Sequence, residues 1–256
     1  MVSMAPYREL LKSGDWDAWD RMETDQRRGV PPPPLEKPCP EGAVLVDLAP
    51  PADLTLGAMP LIEAIRRRRS RRKFTKDPLT LPELSFLLWA TQGVGQLIGG
   101  GTVSLRTVPS AGARHPFETY LVANRAEGVS PGLYRYLPLE HKLCFLKAGD
   151  APAREVHRAC LEQYVLESAV TFIWTVIPYR TEWRYSLLAH RVILMDAGHV
   201  CQNLYLASEA IGAGTCAIGA YHQAALDAAL EVDGEEEFAI YVAPVGRVAR
   251  RQEDRP

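Results

Sequence analysis

Seven basic side chains fall within eight positions, 66–73, of the stretch IRRRRSRRKF. Guanidinium groups at this density bind anions, because each presents several N–H donors in a planar fork that matches carboxylate and phosphate oxygens. Ser70, inside the run, adds a hydroxyl donor. The candidate ligands are a nucleic acid, an anionic membrane surface and a single phosphate group. The alternative without a ligand is a solvated charge run at the end of a helix.

The charge of the remaining chain argues against a nucleic acid. Of the 29 Lys and Arg residues, 22 lie outside the run, and the chain has 31 Asp and Glu residues, so the remainder carries a net negative charge. That remainder would repel a polyanion, whereas nucleic-acid-binding domains are generally basic as a whole. A membrane-surface helix needs a broad apolar face, and only Leu61, Ile62 and Ile65 precede the run. A single phosphate and a helix-capping charge run remain open.

Two stretches of small residues could let a flat ligand approach the backbone. In TVPSAGARHPFETYLV, residues 109–112 directly precede a β-rich segment, and Ser110 can donate a hydrogen bond. In IGAGTCAIGAYH, glycines follow a long apolar segment, without the spacing of a dinucleotide-binding fingerprint. An ordinary turn would explain either stretch alone.

The elements that must position these residues alternate irregularly between helix and strand, which favours an α+β fold. Thr80 and Glu83 form a capping-box pattern at the start of one helix. The patterns predict helices over 150–166 and 190–212, the latter apolar almost all round and centrally buried, and strands over 117–123, 169–178 and 237–246, with two short strands around a turn in 132–146.

Residues 1–58 differ in composition from 59–256 and are predicted to form an N-terminal extension to a main domain. The prolines at 31–34 are typical of a semi-rigid connector. Trp16 and Trp19 could dock on the main domain or on a second subunit, although a partly ordered arm is the simpler interpretation.

The five cysteines are scattered and include no C-x-x-C, which favours neither a disulfide scaffold nor a zinc site. No metal site is predicted. No segment approaches the ~20 apolar residues that span a bilayer, and the first residues lack the apolar core of a secretory signal. We therefore expect a cytoplasmic protein without a membrane partner.

Three motifs, in this order, resemble the flavin-dependent nitroreductase superfamily, and most closely its SagB-type (ThcOx-like) dehydrogenase branch. They are the R-x-S-x-R/K-x-F signature that ends at Phe74, PSAGARHPFETY, and DAGHVCQNLYLASEAIGAGTCAIGAY, with PGLYRY as a further match. The resemblance covers roughly residues 59–250. It implies a nitroreductase-like fold, with a central, mostly antiparallel sheet flanked by helices. It also implies a homodimer with swapped terminal segments and FMN at the interface.

The same resemblance assigns residues to FMN. The residues implied for its phosphate and ribityl end are Arg68, Arg69, Ser70 and Arg72, with Arg247 or Arg250 as a further phosphate contact. The residues implied to line the isoalloxazine ring, from the partner subunit, are Pro109, Ser110, Ala111 and Gly112. A backbone wall near the ring's reactive edge is implied at Gly214, Ile218 and Gly219. Solvated or helix-capping charge explains the rest of the run, namely Arg66, Arg67, Arg71 and Lys73.

Arg184 and Tyr185 are the candidate catalytic residues. In the branch, a Lys-Tyr pair precedes the long helix, and here arginine replaces the lysine. Arginine stays protonated at neutral pH and is a poor base, so it could instead orient a carboxylate substrate. Packing at the helix entrance explains both residues equally well. His115 could touch the ring or substrate, whereas mid-helix His199 is expected to be a buried structural histidine.

Three functions remain open. The leading hypothesis is an FMN-dependent SagB-type dehydrogenase that oxidises an azoline-like or other C–N or C–C bond in a peptide or small molecule, with NAD(P)H or O2 as a further electron partner. The second is an NAD(P)H-dependent nitro or quinone reductase. The third is a non-catalytic scaffold subunit of a peptide-modifying complex.

Overall fold

The computed structural model describes residues 4–9 and 11–249. Its helices are α1 (Ala5–Glu9), α2 (Trp16–Arg21), α3 (Leu61–Arg67), α4 (Leu81–Gln92), α5 (Ala151–Ala159), α6 (Tyr179–Tyr185), α7 (Ala189–Ala210) and α8 (Gln223–Leu230). Its strands are β1 (Leu45–Asp47), β2 (Val94–Ile98), β3 (Val103–Arg106), β4 (Phe117–Ala123), β5 (Gly132–Leu137), β6 (Lys142–Ala148), β7 (Val170–Val176), β8 (Ala213–Thr215) and β9 (Phe238–Arg247).

Seven strands form one sheet in the order β1-β6-β5-β4-β7-β9-β8, and each adjacent pair is antiparallel. β2 and β3 form a separate hairpin. Both β4 and β7, at the centre of the sheet, are buried at every residue. The expected α+β fold with a mostly antiparallel central sheet is confirmed.

Helices cover both faces of the sheet, because its central strands are apolar on both sides. Along β4, Leu121 packs in the core that includes α4 and α7, whereas Tyr120 and Val122 pack in the core that includes α5 and α8. The side chains of successive strand residues point to opposite faces, so one short strand serves both cores. The long helix α7, which carries much of the candidate site, is thereby fixed against the sheet.

The predicted elements are confirmed except at two helices. Both bonds of the Thr80–Glu83 capping box are present at the start of α4. The helix predicted over 150–166 ends at Ala159, because Leu161 and Glu162 adopt left-handed backbone conformations. The helix α7 is not buried all round, since Met195 is 45% exposed.

The segment predicted to form an N-terminal extension crosses the surface of the rest of the chain. Gln26 N donates a hydrogen bond to Trp183 O over 2.9 Å, and β1 adds an edge strand beside β6. A disulfide joins Cys39 to Cys144, although the scattered cysteines favour no disulfide scaffold; its partners are 105 residues apart in sequence. The free cysteines in the described chain, Cys160, Cys201 and Cys216, are buried.

Candidate active site

The basic run divides into arginines with and without a carboxylate partner. Arg66 and Arg67, in the last turn of α3, lie 3.0 and 3.8 Å from the carboxylate of Glu63 in its first turn. Arg71 lies 3.2 Å from Glu209 of α7, with its side chain only 18% exposed, so the expectation that it is solvated is wrong. Its Nη2 also donates to Arg67 O, at the last residue of α3, over 3.5 Å, which agrees with the alternative that it caps this helix. The run also contains arginines that form no ion pair with any residue the structure describes: Arg68, Arg69 and Arg72. These three are the guanidiniums predicted to hold a phosphate.

Ser70 is fixed beside the C-terminal part of α7. Its Oγ lies 3.0 Å from the hydroxyl of Tyr205, and that hydroxyl oxygen accepts a hydrogen bond from Ala217 N over 2.9 Å. The Arg68 Cζ lies 5.4 Å from the centroid of the Tyr205 ring, within the range of a cation–π contact. Tyr205, which the sequence did not single out, therefore ties the basic run to the loop after β8.

The three residues predicted to form a backbone wall lie in different surroundings. A Cβ on Gly214 would lie 2.4 Å from Cγ of Arg71, so glycine is required there for that side chain to pass. Ile218 is buried and pairs through its backbone with Val242. Gly219 is exposed and would have open space around a Cβ. The roles of Gly214, Ile218 and Gly219 towards a ring remain predictions.

Arg247 is engaged by neighbours in its own chain. Its Nη2 lies 2.5 and 2.6 Å from the two carboxylate oxygens of Glu83, and its Nη1 donates to Ile211 O over 3.0 Å. This guanidinium ties the end of β9 to the start of α4, which explains its presence without a phosphate. Arg250, the other candidate, lies outside the described residues.

The loop predicted to line the ring, 109–112, is anchored to α7 by Asp196. Ser110 Oγ donates to Asp196 Oδ2 over 2.6 Å, and Ala111 N donates to the same oxygen over 3.1 Å. Burial raises the pKa of Asp196, and the hydrogen bonds from Ser110 and Ala111 oppose that shift. Ser110 therefore uses its proton to hold the loop, while Pro109 and Gly112 remain exposed on its surface.

Gly112 brings this loop against the predicted catalytic pair. Its φ is +58°, and a Cβ there would lie 2.7 Å from Arg184 Cδ and 2.8 Å from the Tyr185 hydroxyl. Glycine is required by both the conformation and the close approach. The Arg184 Cζ lies 5.5 Å from the centroid of the Tyr185 ring. The predicted ring loop and catalytic pair are therefore neighbours within one chain.

The residues predicted to bind the phosphate and those predicted to line the ring contact α7 at different positions along the helix. Asp196 holds the ring loop, and Tyr205 contacts Arg68 and Ser70, nine residues further along the helix. At 1.5 Å of rise per residue, these two points are about 14 Å apart along the helix axis. α7 is therefore the common support for both groups.

The N-terminal arm packs against Tyr185. The ring centroids of Trp16 and Trp19 lie 6.1 and 5.9 Å from that of Tyr185. Trp19 Nε1 also donates to Arg184 O over 3.3 Å. The sequence left open whether the two tryptophans dock on their own chain or on a second subunit, and in the structure they pack on their own chain. Trp16 remains 40% exposed and adds an aromatic surface beside the candidate catalytic residues.

The two histidines differ in environment. His115 is buried, and this burial together with the positive charge of Arg106 lowers its pKa to about 3, so the ring is neutral. The side chain of His199 is 50% exposed and lies 3.9 Å from Asp196. The expectation of a buried His199 is wrong, because this part of α7 is exposed; its neighbour Met195 is likewise exposed.

Within the described part of the chain, no group of three or more His, Cys, Asp or Glu residues is placed to hold a metal ion. Over the same residues, no helix is long and apolar enough to cross a membrane. The polar groups in the two parts of the candidate site are guanidiniums, hydroxyls and backbone amides.

Comparison with known proteins gives a family match over most of the chain. The model described as "Nitroreductase family" matches residues 65–247. MJ1384 of Methanocaldococcus jannaschii, a nitroreductase by name, is 34% identical over 188 residues, which cover 73% of this chain and 90% of that protein.

Two further similarities are with a protein named for trifolitoxin processing and with a chain of a microcin synthetase. The trifolitoxin-processing protein TfxB of Rhizobium leguminosarum bv. trifolii is 30% identical over 112 residues, or 42% of this chain and 30% of TfxB. A chain in the E. coli microcin synthetase McbBCD complex with truncated pro-MccB17 bound aligns with a TM-score of 0.59 at 19% identity, covering 98% of this chain and 99% of that one. At that identity, the second similarity shows the fold alone.

Proposed function

The chain belongs to the nitroreductase family, whose members are generally FMN-dependent oxidoreductases, and from this premise we propose that it binds FMN and oxidises its substrate. The observation that most directly supports FMN is the set of arginines without carboxylate partners, Arg68, Arg69 and Arg72, beside the Ser70 hydroxyl. A phosphate dianion matches such a donor set, because guanidinium forks can bind its oxygens bidentately. The neighbouring arginines, Arg66, Arg67 and Arg71, are already paired with carboxylates and are not needed to bind the phosphate.

A homodimer is part of the proposal, as is a cytoplasmic location. The residues predicted to bind the phosphate and the loop predicted to line the ring contact α7 at points about 14 Å apart. Two subunits could therefore contribute the opposite ends of one FMN site. The exposed apolar side chains of α3 and α7 suit such an interface: Leu61, Ile62, Ile65, Leu194 and Met195 are each at least 45% exposed.

The reaction we propose is dehydrogenation of an azoline-like or other C–N or C–C bond in a peptide or small molecule, of the SagB type. FMN, when bound, accepts a hydride and passes the electrons on to O2 or a nicotinamide. The chain must supply a base for the proton, and the Tyr185 hydroxyl, beside the exposed ring loop, is our candidate. Similarity to TfxB, the trifolitoxin-processing protein, supports a peptide substrate and association with a peptide-modifying complex.

FMN binding is tested on purified full-length protein by releasing and identifying the flavin after heat denaturation. We expect one FMN per chain. A colourless protein that releases no flavin and takes up none on incubation with FMN would contradict the proposal and leave a scaffold role as the better hypothesis.

The dehydrogenase step is tested by anaerobic bleaching of the flavin with a thiazoline-containing peptide. We expect Tyr185→Phe to retain FMN and lose bleaching by at least a hundredfold, typical of a general base. Tyr179→Phe is the matched control, because Tyr179 lies on the same helix but bonds Asp25 on the surface. Equal rates in the two variants would exclude Tyr185 as the base.

The similarity to MJ1384, over 90% of that protein, favours a second candidate, an NAD(P)H-dependent nitro or quinone reductase. It predicts steady oxidation of NADH or NADPH with menadione or nitrofurazone as acceptor, at a rate proportional to the amount of FMN-loaded protein. If neither nucleotide is consumed with either acceptor, this candidate is wrong.

A further inference from the structure

One buried arginine next to the ring loop lacks an acid to neutralise it. Arg114 directly follows the loop, is 4% exposed, and its Cζ lies 4.8 Å from the centroid of the Trp183 ring. Its Nε has no hydrogen-bond partner and is shielded from solvent. The guanidinium forms no ion pair with any residue of the described ranges. Arg184, beside the same loop, also has a buried Nε without a partner.

The positive charge of this pair is not offset by the groups around it. Burial lowers the pKa of Arg114, as do the charges of Arg184 and Arg180, while the Tyr185 phenol opposes the shift. His115 is neutral at physiological pH, since its pKa is about 3. The carboxylate of Asp196 is held by Ser110 and Ala111, and that of Glu182 pairs with His190, so no acid serves the two arginines.

We propose that Arg114 and Arg184 together bind a carboxylate group carried by the substrate. Two guanidiniums can hold both oxygens of a carboxylate, and a bound anion would offset positive charge that no acid of the described chain neutralises. The position, next to Gly112 and the Tyr185 hydroxyl, sets that group beside the proposed reaction centre. That the ligand is the substrate rests on the proposed function.

The aromatic surface beside Tyr185 suits a ligand whose body is flat and apolar. Trp16 and Trp19 flank Tyr185 at ring distances of 6.1 and 5.9 Å, and Trp16 is 40% exposed. Aromatic rings favour stacked or edge-on contact with other rings. The ligand class is therefore an aryl or heteroaryl carboxylate, with its acid group on the two arginines and its ring against the tryptophans.

The test is titration of benzoate and, in parallel, neutral benzamide into full-length protein, with and without FMN, at low ionic strength and without phosphate. Tryptophan fluorescence is the readout, because Trp183 lies against Arg114 and Trp16 beside Tyr185. We expect benzoate to bind at least tenfold more tightly than benzamide. Arg114→Gln and Arg184→Gln should each abolish that preference, whereas Arg154→Gln, an exposed arginine on α5, should leave it unchanged.

Equal affinity for benzoate and benzamide in the wild-type protein would overturn the inference, as would variants that keep the preference. If both arginine variants keep it but bind FMN more weakly, the pair serves the cofactor. If Arg114→Gln does not fold, the half-exposed Arg184→Gln decides. A wild-type protein that binds no FMN yet keeps the preference would refute the proposed function and leave this site in place.

Discussion

Two clusters of buried charge lie close together in this molecule and differ in how they are neutralised. In one, Glu118 is contacted by Arg180 and Arg135, with side-chain exposures of 3% and 2%, and by the backbone N–H of Lys37. In the other, Arg114 and Arg184 face no carboxylate among the described residues. Since a buried ion is costly unless paired, the first cluster has a structural explanation in the chain itself, and the second calls for a ligand.

The same distinction sorts the basic run. Arg66, Arg67 and Arg71 have carboxylate partners on α3 and α7. Arg68 and Arg72 have none within the described chain. Sequence composition cannot separate such residues, because each is simply an arginine among arginines, whereas the position of the nearest acid can.

Removing the acid from the neutralised cluster should have the largest effect. Glu118→Ala leaves two buried guanidiniums without it, and we expect the free energy of unfolding in urea to fall by about 3–5 kcal/mol. Glu155→Ala, which breaks a half-exposed pair with Lys147, should lower it by about 1 kcal/mol or less. Arg114→Met removes an unneutralised charge and should cost far less than Glu118→Ala. Equal losses at Glu118 and Arg114 would refute the contrast between the clusters.

In the basic run, the expected effect is on FMN. The double variant Arg68→Ala with Arg72→Ala should raise the FMN dissociation constant at least roughly a hundredfold, because it removes two charge-assisted contacts. Quenching of FMN fluorescence on binding measures it. The control is Arg66→Ala with Arg67→Ala, which removes the same charge from arginines that are paired with Glu63. It should change the FMN dissociation constant by less than about threefold. Comparable losses in both double variants would show that net charge alone binds the cofactor.

Much of the fold follows from local pattern, and the strands at 117–123 and 169–178 are examples. They are continuous β-rich runs because both faces of the central sheet are covered. The disulfide between Cys39 and Cys144 could not be predicted in this way, because its partners meet only when residues 36–47 cross the sheet. The end of α5 was missed because the left-handed backbone at Leu161 and Glu162 has no glycine to signal it.

Residues of the candidate site that lie in recognisable motifs could be predicted from the sequence. Residues that stand out only through their contacts in the folded chain could not. The motifs led to Ser70, Gly112 and Tyr185, and the structure gives physical reasons for their positions. Arg114 lies inside a quoted motif, yet only its burial and missing partner distinguish it. Tyr205 was hidden in an apolar helix, since a tyrosine there fits ordinary packing equally well.

The low pKa of His115 provides a pH test of the unneutralised region. The unfolded chain protonates this histidine below its ordinary pKa of 6.5, whereas the folded protein keeps it neutral until about 3. Stability from this group is therefore complete above pH 6.5 and is lost as the pH falls through that window. Between pH 6.5 and 5, the wild-type protein should lose about 1.6 kcal/mol more than His115→Gln in urea unfolding. Parallel losses in the two proteins would show that His115 is charged when folded.

The smallest expected effect concerns the arm that packs beside the unneutralised pair. Trp19→Leu removes the hydrogen bond to Arg184 O and the contact with Arg27, whose Cζ lies 4.3 Å from the Trp19 ring. We expect a loss of about 1 kcal/mol, mostly as local opening of the arm rather than global unfolding. Trypsin should then cleave after Arg27 and Arg28 severalfold faster, whereas Trp16→Leu, which keeps those contacts, should cleave near the wild-type rate. Unchanged cleavage in Trp19→Leu would mean that the arm is held by its other bonds, such as Gln26 N to Trp183 O.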